Sequence, residues 1–424
     1  MSAIDEATPR TATAGGRTFA DRIFLAFVAL LPLHTVHLEA WISWKPWLVI
    51  LLVLVAMDAV AGLRGRRWPW HRRLSIGAGV FLAAAAASWS GAAPERFLRL
   101  WLALVVGSAV MLVVARRMQP PGALFDVLRV VFWSGAAIAA TGLVVSIASV
   151  GGFGEGAVLG LNDLPLVDRV ATRIYRAEGM VAVTNWHQDP GYAAAWLNLW
   201  WVLGFLAVRR GAGSGRRWLD AAVIGGLWFG VIMTLSRTGL LGTAVGAVAI
   251  LWLHRRQIPD TLRLAGAAGL ATLVLLGAVW MMDRDGVGGD LTTGLSFRFA
   301  QGFSLGPGDI DSGGGDYYYN DSRSVVWPIY FDYFVEHPIR GVGLGTGWEE
   351  AIQEPHNILL ELLGEMGLVG LAGFAFLFTG VLGTARNPVG RIALLVALTA
   401  AMTQTVLFEP TWWFAAALAT APDG

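Results

Sequence analysis

A largely apolar stretch at residues 219–253 is interrupted near its middle by the dipeptide Ser236-Arg237. As a single helix with a rise of about 1.5 Å per residue, the stretch would be about 50 Å long, whereas the hydrocarbon core of a bilayer is about 30 Å thick. An ionised guanidinium is also costly inside that core. The stretch therefore predicts two membrane-spanning helices that fold back on each other, with residues 236–239 as the tight turn and Arg237 at a membrane face.

The composition of the whole chain is that of a membrane protein. Apolar residues make up 55% and charged residues 14% of the 424 positions, so most of the chain suits lipid better than water. The formal net charge of +1 does not indicate nucleic-acid binding, and the absence of cysteine excludes disulfides and thiol nucleophiles. Apolar windows of about twenty residues lie at residues 23–42, 44–62, 74–91, 97–115, 123–150, 190–208, 218–235, 238–253, 264–282, 357–384, 391–407 and 410–420. We therefore predict an all-α polytopic protein with about twelve transmembrane helices.

Basic residues in the short connections predict the orientation of these helices. Arginines gather in alternate connections, at residues 64–73, 116–117, 209–217, 255–256 and 386–391. Because basic loops stay in the cytoplasm, these connections and both termini are predicted to be cytoplasmic. Residues 1–21 lack the pattern of a signal peptide and are predicted to be a disordered cytoplasmic tail. Residues 22–424 then form a single transmembrane domain.

The opposite face carries Arg237 and the two long connections, at about residues 151–189 and 283–355. The second connection is far longer than the usual connection of about 4–6 residues, which favours a lid or a binding segment over a plain linker. Neither contains an alternating pattern strong enough to predict a sheet. The active face is therefore expected to be extracytoplasmic.

The segment that begins at Pro355 is the most specific local pattern. Proline pre-sets the first turn of a helix, so His356 and Asn357 are expected at the mouth of the tenth span. Asn357, Glu361 and Glu365 follow at intervals of four and share one helical face. Glycines at positions 364, 367 and 370 permit a bend or close packing. Histidine is the side chain best suited to acid–base work near neutral pH, so His356 is a candidate general base; the alternative is an interfacial histidine that is satisfied by water.

Arginines on the two long loops form a second set of candidates. Arg176 lies on the first loop, Arg323 and Arg340 lie on the second, and Asp189 directly precedes the sixth span. Together with Arg237, these arginines offer planar donors on one face that suit phosphate or pyrophosphate oxygens. An arginine taken alone is more often a snorkelling or solvated side chain; the gathering of several arginines on one face is what favours the binding interpretation.

Other polar groups are interpreted as structural or solvated. The Gly-x-Gly run after Arg340 follows no strand, so it does not predict a dinucleotide site. The remaining groups are the acidic loop residues Asp309, Asp311 and Asp316, the first-span residues His34, His37 and Glu39, and the interfacial Asp126.

Four motifs follow one another along the second half of the chain. They are Ser236-Arg237-Thr238-Gly239, Arg323 followed by Trp327, His337-Pro338 before Gly341-Val342-Gly343, and His356-Asn357 followed by Leu360, Glu365, Gly367 and Gly370. In this order they resemble the O-antigen ligase and O-antigen polymerase superfamily of bacterial envelope enzymes. The match is specific over about residues 220–375, whereas the first 150 residues match only in hydropathy.

This resemblance implies a glycosyltransferase of the bacterial inner membrane that takes a glycan from an undecaprenyl-diphosphate carrier at the outer face. It implies no nucleotide sugar, no metal and no cofactor. His356 would deprotonate or orient the acceptor hydroxyl, and Arg237 and Arg323 would hold the diphosphate and stabilise it as a leaving group. The further substrate-binding candidates are Arg176, Arg298, Arg340, Asn357, Glu361 and Asp189.

Three functions stay open at this point. A ligase would pass a finished glycan to a lipid or other final acceptor, and a polymerase would join repeat units on a growing glycan. The ligase is slightly favoured because one compact outer loop with a histidine dominates. A twelve-span transporter should show paired broken helices and repeat symmetry, and the sequence indicates neither. The expected partners are the lipid-linked donor, a lipid or glycan acceptor and the inner-membrane lipids, without nucleic acid.

Overall fold

The computed structural model describes residues 17–33, 45–63, 71–150, 174–177, 180–183, 190–282, 323–347 and 354–422. In these ranges the protein contains thirteen α-helices and one β-hairpin. The helices are α1 Phe19–Leu30, α2 Pro46–Leu63, α3 Arg72–Ala87, α4 Pro94–Arg117, α5 Ala123–Val150, α6 Pro190–Arg209, α7 Arg217–Met233, α8 Arg237–Leu253, α9 Ile258–Met282, α10 Arg323–Glu336, α11 Ile358–Thr384, α12 Pro388–Ala401 and α13 Pro410–Ala419.

A helix lies in each of the twelve predicted apolar windows, and α10 is an additional helix inside the second long connection. Six helices, α2, α4, α5, α6, α9 and α11, are long and apolar enough to cross a membrane, and α8 and α12 are apolar but shorter. The prediction of a helical, polytopic membrane protein is thus confirmed, while the number of twelve spans stays a prediction. α1 begins at Phe19, which lies within the segment predicted as a tail.

The first long connection contains a small β-hairpin, so the expectation that neither long loop forms a sheet was wrong. Strand β1 (Ile174–Ala177) pairs antiparallel with strand β2 (Met180–Val183), with Arg176 opposite Val181. Each strand has four residues, too few for a periodic pattern to stand out in the sequence. The hairpin lies against α5 and α7.

Helix α6 lies at the centre of the bundle and contacts α5, α7, α8 and α12. Small residues allow α8 to approach it closely. A methyl group on Gly242 would lie 2.6 Å from Nδ2 of Asn198, and one on Gly246 would lie 2.7 Å from Cγ2 of Val202. The same Asn198 amide donates to the carbonyl of Gly239 at 3.0 Å. Close packing of this kind fixes the first turn of α8, and with it Arg237, against α6.

Helix α11 is broken at Gly367, where φ is 60° and ψ is −160°. This backbone conformation is essentially restricted to glycine. Residues 338–343 form backbone hydrogen bonds with both halves of the helix. Before the break, the N–H groups of Val342 and Gly343 donate to the carbonyls of Gly364 and Glu365, both at 2.9 Å. After the break, the N–H groups of Leu368 and Val369 donate to the carbonyls of Pro338 and Ile339 at 2.9 and 3.1 Å. The predicted bend is therefore confirmed, and the loop after α10 is bound to it.

The basic connections come together at one end of the molecule, called here the arginine end. Asp58 at the end of α2 contacts Arg116 at 2.9 Å and Arg117 at 2.5 Å, at the end of α4. His71, before α3, bonds to Gln119, after α4, at 2.8 Å. The same end holds contacts between Arg17 and Asp126, Arg117 and Asp21, Arg209 and Gln257, and Arg386 and Ala419. The first turns of α4, α6, α8 and α11 lie at the opposite end, called here the site end.

Candidate active site

Arg237 is the first residue of α8, and the turn before it consists of Thr234, Leu235 and Ser236. The turn therefore lies about two residues earlier than the predicted turn at residues 236–239. Ser236 is the N-cap, and its side chain does not cap the helix. Nε of Arg237 is buried and has no hydrogen-bond partner among the described residues. The first turn of α8 thus combines unsatisfied backbone N–H groups with a guanidinium, which suits an anion.

His356 lies in a short segment that leads into α11. Asn357 caps this helix, because its side-chain oxygen accepts from the N–H groups of Leu359 and Leu360 at 3.0 and 3.2 Å. The carbonyl of Pro355, directly before His356, accepts from Nε1 of Trp327 at 2.8 Å. The predicted position of His356 at the mouth of a span is therefore confirmed. Trp327 ties α10, which begins at Arg323, to the same segment.

Two residues other than glycine have a positive φ in the described backbone, Leu235 and His356, both at 49°. The left-handed region costs a residue with a side chain about 1–2 kcal/mol. One of these residues lies two positions before Arg237, and the other is the candidate base itself. Backbone strain of this kind gathers at functional sites, where the surrounding structure holds it in place.

One turn, at residues 402–405 between α12 and α13, joins the Arg237 and His356 segments. Thr238, next to Arg237, donates its hydroxyl to the carbonyl of Thr403 at 3.3 Å. Asn357, next to His356, donates its amide to the carbonyl of Met402, also at 3.3 Å. Because the two acceptors are consecutive carbonyls, the first turn of α8 and the segment before α11 are held close to the same turn.

Replacing Asn357 with serine should separate its two roles. Serine also caps helices, so stability should change by less than about 0.5 kcal/mol, whereas alanine should cost about 1 kcal/mol. Both variants lose the hydrogen bond to Met402, so both should lose, to a similar degree, the glycan transfer that the resemblance implies. Thermal unfolding in detergent and the rate of transfer measure the two effects. A serine variant with full activity would contradict a role for this contact in the site.

Glu354 lies two residues before His356, where it meets side chains from two further helices. The hydroxyl of Tyr192, in the first turn of α6, donates to Oε2 of Glu354 at 3.0 Å. Nη2 of Arg96, in the first turn of α4, lies 4.0 Å from Oε1. Burial raises the pKa of the Glu354 carboxyl, and the charge of His356, the Tyr192 hydrogen bond and the charge of Arg96 partly offset that effect.

Glu361 and Glu365 are each only 3% exposed, and Asn357 is also buried. The prediction that these three residues share one helical face is confirmed, and that face points into the protein. Oε2 of Glu365 accepts from the backbone N–H of Gly345 at 2.8 Å. Oε2 of Glu361 has no hydrogen-bond partner among the described residues. A role for Glu361 in substrate binding stays a prediction.

The other predicted site residues are distributed around this end of the molecule. Arg340 is exposed in the connection after α10, and Arg176 lies on β1. Arg298, Asp189 and the side chain of Arg323 lie outside the described residues. The structure thus places the segments that carry Arg237 and His356 against one turn, with Asn357 and Glu361 on the helix that follows His356, whereas the contacts of the loop arginines stay predictions.

Sequence reasoning missed the contacts that Arg96 and Tyr192 make with Glu354. Arg96 and Tyr192 each lie two residues after the proline that begins their helix, α4 and α6 respectively. Nothing in the local sequence indicates that these two distant helices meet at Glu354. The one available signal was the predicted topology, which puts both helix starts on the active face. Among the described residues, no group of three His, Asp or Glu side chains is arranged to hold a metal ion.

Comparison with known proteins supports the resemblance that the motifs indicate. The family model for O-antigen ligase matches residues 221–375. This segment is less than half of the chain, and it includes α8, α10 and the first part of α11, with Arg237, Arg323 and His356. The resemblance to O-antigen ligases is therefore confirmed over that segment. No curated protein matches the chain.

Proposed function

We propose that the protein transfers a glycan from an undecaprenyl-diphosphate carrier to an acceptor hydroxyl at the outer face of the bacterial inner membrane, as an O-antigen ligase does. The observation that carries this proposal is the turn at residues 402–405. It binds the neighbours of both Arg237 and His356, which supports one site for a phosphate-binding cation and a candidate base. The match to O-antigen ligases over residues 221–375 supplies the chemistry.

In the proposed reaction, a ring nitrogen of His356 takes the proton of the acceptor hydroxyl. The oxygen attacks the anomeric carbon of the donor glycan, and the bond between that carbon and the diphosphate oxygen breaks. The electron pair leaves with the undecaprenyl diphosphate, whose growing charge Arg237 and Arg323 stabilise. Attack opposite the leaving group inverts the configuration of the sugar carbon, and His356 then returns its proton to water.

The further substrate contacts that we propose are Arg176, Arg298 and Arg340 for the diphosphate and Asp189, Asn357 and Glu361 for the sugars. The position of the β-hairpin against α7 supports Arg176, because α7 leads into the turn before Arg237. The reaction needs no metal and no cofactor, since the arginines neutralise the leaving group.

The site end is proposed to face the periplasm, because the opposite end carries the basic connections. The chain lacks cysteine, so single cysteines are specific probes. Ile339 and Arg256 are exposed at the site end and the arginine end, respectively. In intact spheroplasts, a membrane-impermeant maleimide should label Ile339→Cys, and it should label Arg256→Cys only after lysis. The reverse pattern would invert the proposed topology.

The transfer reaction is tested by incubating the purified protein with an undecaprenyl-diphosphate glycan and a panel of acceptors. A ligase should transfer the glycan once, to a lipid-linked core acceptor. A polymerase, our alternative, uses the same donor chemistry and should instead give a ladder of products with a second lipid-linked repeat unit as acceptor. No new product with any acceptor would contradict both.

The break in α11 is the one observation that favours a transporter, because half-helices often form transport sites. A transporter should move the lipid-linked glycan or a soluble substrate across liposomes. Flux without transfer would replace the enzyme proposal, whereas transfer without flux would leave the break as a structural feature of the site.

A further inference from the structure

We propose that a groove between α1 and α5 binds an anionic phospholipid of the surrounding membrane, with the phosphate at its mouth and an acyl chain along its floor. The groove lies at the arginine end, so it is separate from the proposed transfer site. Its volume is about 660 Å³, within the usual range of about 300–1,000 Å³ for ligand pockets. Its length, its polarity and its charge all match such a lipid.

The groove runs inward from one end of the molecule. At its mouth, Arg17 before α1 pairs with Asp126 in the first turn of α5. Ala29 of α1 and Ser134 of α5 line its far end. Ser134 lies eight residues after Asp126, which is about 12 Å along a helix, and half of the hydrocarbon core of a bilayer is about 15 Å deep. The groove is therefore long enough for a lipid headgroup and the first part of an acyl chain.

The groove is polar at its mouth and apolar along its floor. The hydroxyl of Ser134 accepts from Nε1 of Trp200 at 2.9 Å and donates to a backbone carbonyl of its own helix at 3.1 Å. Ala29 and Val130 add apolar surface, and Trp133 is 46% exposed beside them. Tryptophan favours the boundary between headgroups and acyl chains. A phospholipid covers this floor, whereas a soluble anion would leave it uncovered.

Arg129 gives the groove a positive charge that no described residue balances. It lies one turn along α5 from Asp126, is exposed, and forms no hydrogen bond or ion pair within the part of the chain that the structure describes. Arg17 and Asp126 neutralise each other, so the lining charges, two arginines and one aspartate, sum to +1. A guanidinium at the edge of the hydrocarbon core is costly without an anion or water. A phospholipid phosphate supplies one negative charge and oxygens that suit the planar guanidinium.

The position of the groove determines what such a lipid would do. The proposed orientation places its mouth at the cytoplasmic leaflet, whose anionic lipids bind basic pockets between transmembrane helices. A lipid in the groove contacts both α1 and α5, and α1 packs against α2 and α5. Because a ligand of the folded state raises stability, the lipid should stabilise the packing of α1 against the bundle.

The test measures lipid binding to the purified full-length protein by native mass spectrometry, with phosphatidylglycerol and the zwitterionic phosphatidylcholine as probes. The wild type should bind phosphatidylglycerol more tightly. Arg129→Gln should weaken the first binding step of phosphatidylglycerol about tenfold, the usual weight of a hydrogen bond to a charged group. Asp126→Asn removes the one negative charge and raises the lining charge from +1 to +2, so it should tighten binding. A loss of structure would not tighten binding, so the opposite shifts separate a binding role from a folding defect.

Arg263→Gln is the matched control. Arg263 is also an exposed arginine near the start of a long helix at the arginine end, α9, but it pairs with Asp260 at 3.2 Å and lies outside the groove. Its replacement should leave lipid binding as in the wild type. Equal binding of the two lipids by the wild type, equal losses in Arg129→Gln and Arg263→Gln, or an Asp126→Asn variant that binds no more tightly would each overturn the inference.

Two further measurements distinguish a lipid from a free anion. Inorganic phosphate in excess should not displace phosphatidylglycerol, and displacement would indicate a site for the free anion instead. In vesicles, the wild type should unfold at a higher temperature in an equal mixture of phosphatidylglycerol and phosphatidylcholine than in phosphatidylcholine alone. Arg129→Gln should gain less than the wild type, and Arg263→Gln should gain as much. The same unfolding temperature of the wild type in both vesicles would overturn the inference.

Discussion

Replacing His356 with asparagine should lower kcat for glycan transfer by about 10²–10⁴-fold, which is the usual contribution of a general base. Asparagine cannot take the proton of the acceptor, but it tolerates the left-handed backbone that His356 adopts. The variant should therefore fold normally and still bind the donor. Transfer kinetics, donor binding and thermal unfolding, measured on the same preparation, separate these effects.

Two further variants control this experiment. His356→Ala should lose as much activity and also some stability, because alanine is less suited to a positive φ. His337→Ala should retain the wild-type rate, since His337 is an exposed histidine at the same end of the molecule. An asparagine variant that transfers glycan at more than about a tenth of the wild-type rate would remove His356 from the chemistry.

Replacing Arg237 with alanine should reduce kcat by about 10²–10³-fold, the usual cost of removing one group that stabilises a developing anion. Arg237→Lys keeps the charge but loses the planar pair of donors, so its rate should lie between those of alanine and the wild type. Because the lost interaction is strongest with the leaving group, the effect should appear mainly in kcat. Steady-state kinetics with a defined lipid-linked donor measures it.

Arg217→Lys is the matched control for this series. Arg217 is also the first residue of a helix, α7, but it lies at the arginine end. Its replacement should leave the transfer rate unchanged. If Arg237→Lys were fully active, the guanidinium would not be required for transfer. If Arg217→Lys lost as much activity as Arg237→Lys, the loss would be a general effect of replacing the first residue of a helix.

Much of the fold could be predicted because hydropathy and charge act locally along the chain. The apolar windows located twelve of the thirteen described helices, since a bilayer demands long apolar segments. The alternation of arginines in the connections correctly predicted that they share one end. The break at Gly367 was also indicated, because glycines in a helix permit a bend.

The site was predictable only in part, because its assembly depends on contacts between distant segments. Arg237 and His356 could be proposed from their motifs, but the turn at residues 402–405 that joins them carries no signal in the sequence. The anchoring of Glu354 by Arg96 and Tyr192 requires α4, α6 and α11 to converge. The β-hairpin that carries Arg176 was missed because its strands are only four residues long.

The central claim is that Arg237 and His356 serve one reaction, in which departure of the carrier depends on the acceptor. The most direct measurement is the release of undecaprenyl diphosphate from a lipid-linked glycan by the reconstituted protein, with and without acceptor. We expect release only when the acceptor is present, in equal amount to the transferred glycan, and we expect His356→Asn to slow release and transfer together by about 10²–10⁴-fold. Release without acceptor, or transfer by His356→Asn at more than about a tenth of the wild-type rate, would contradict the account.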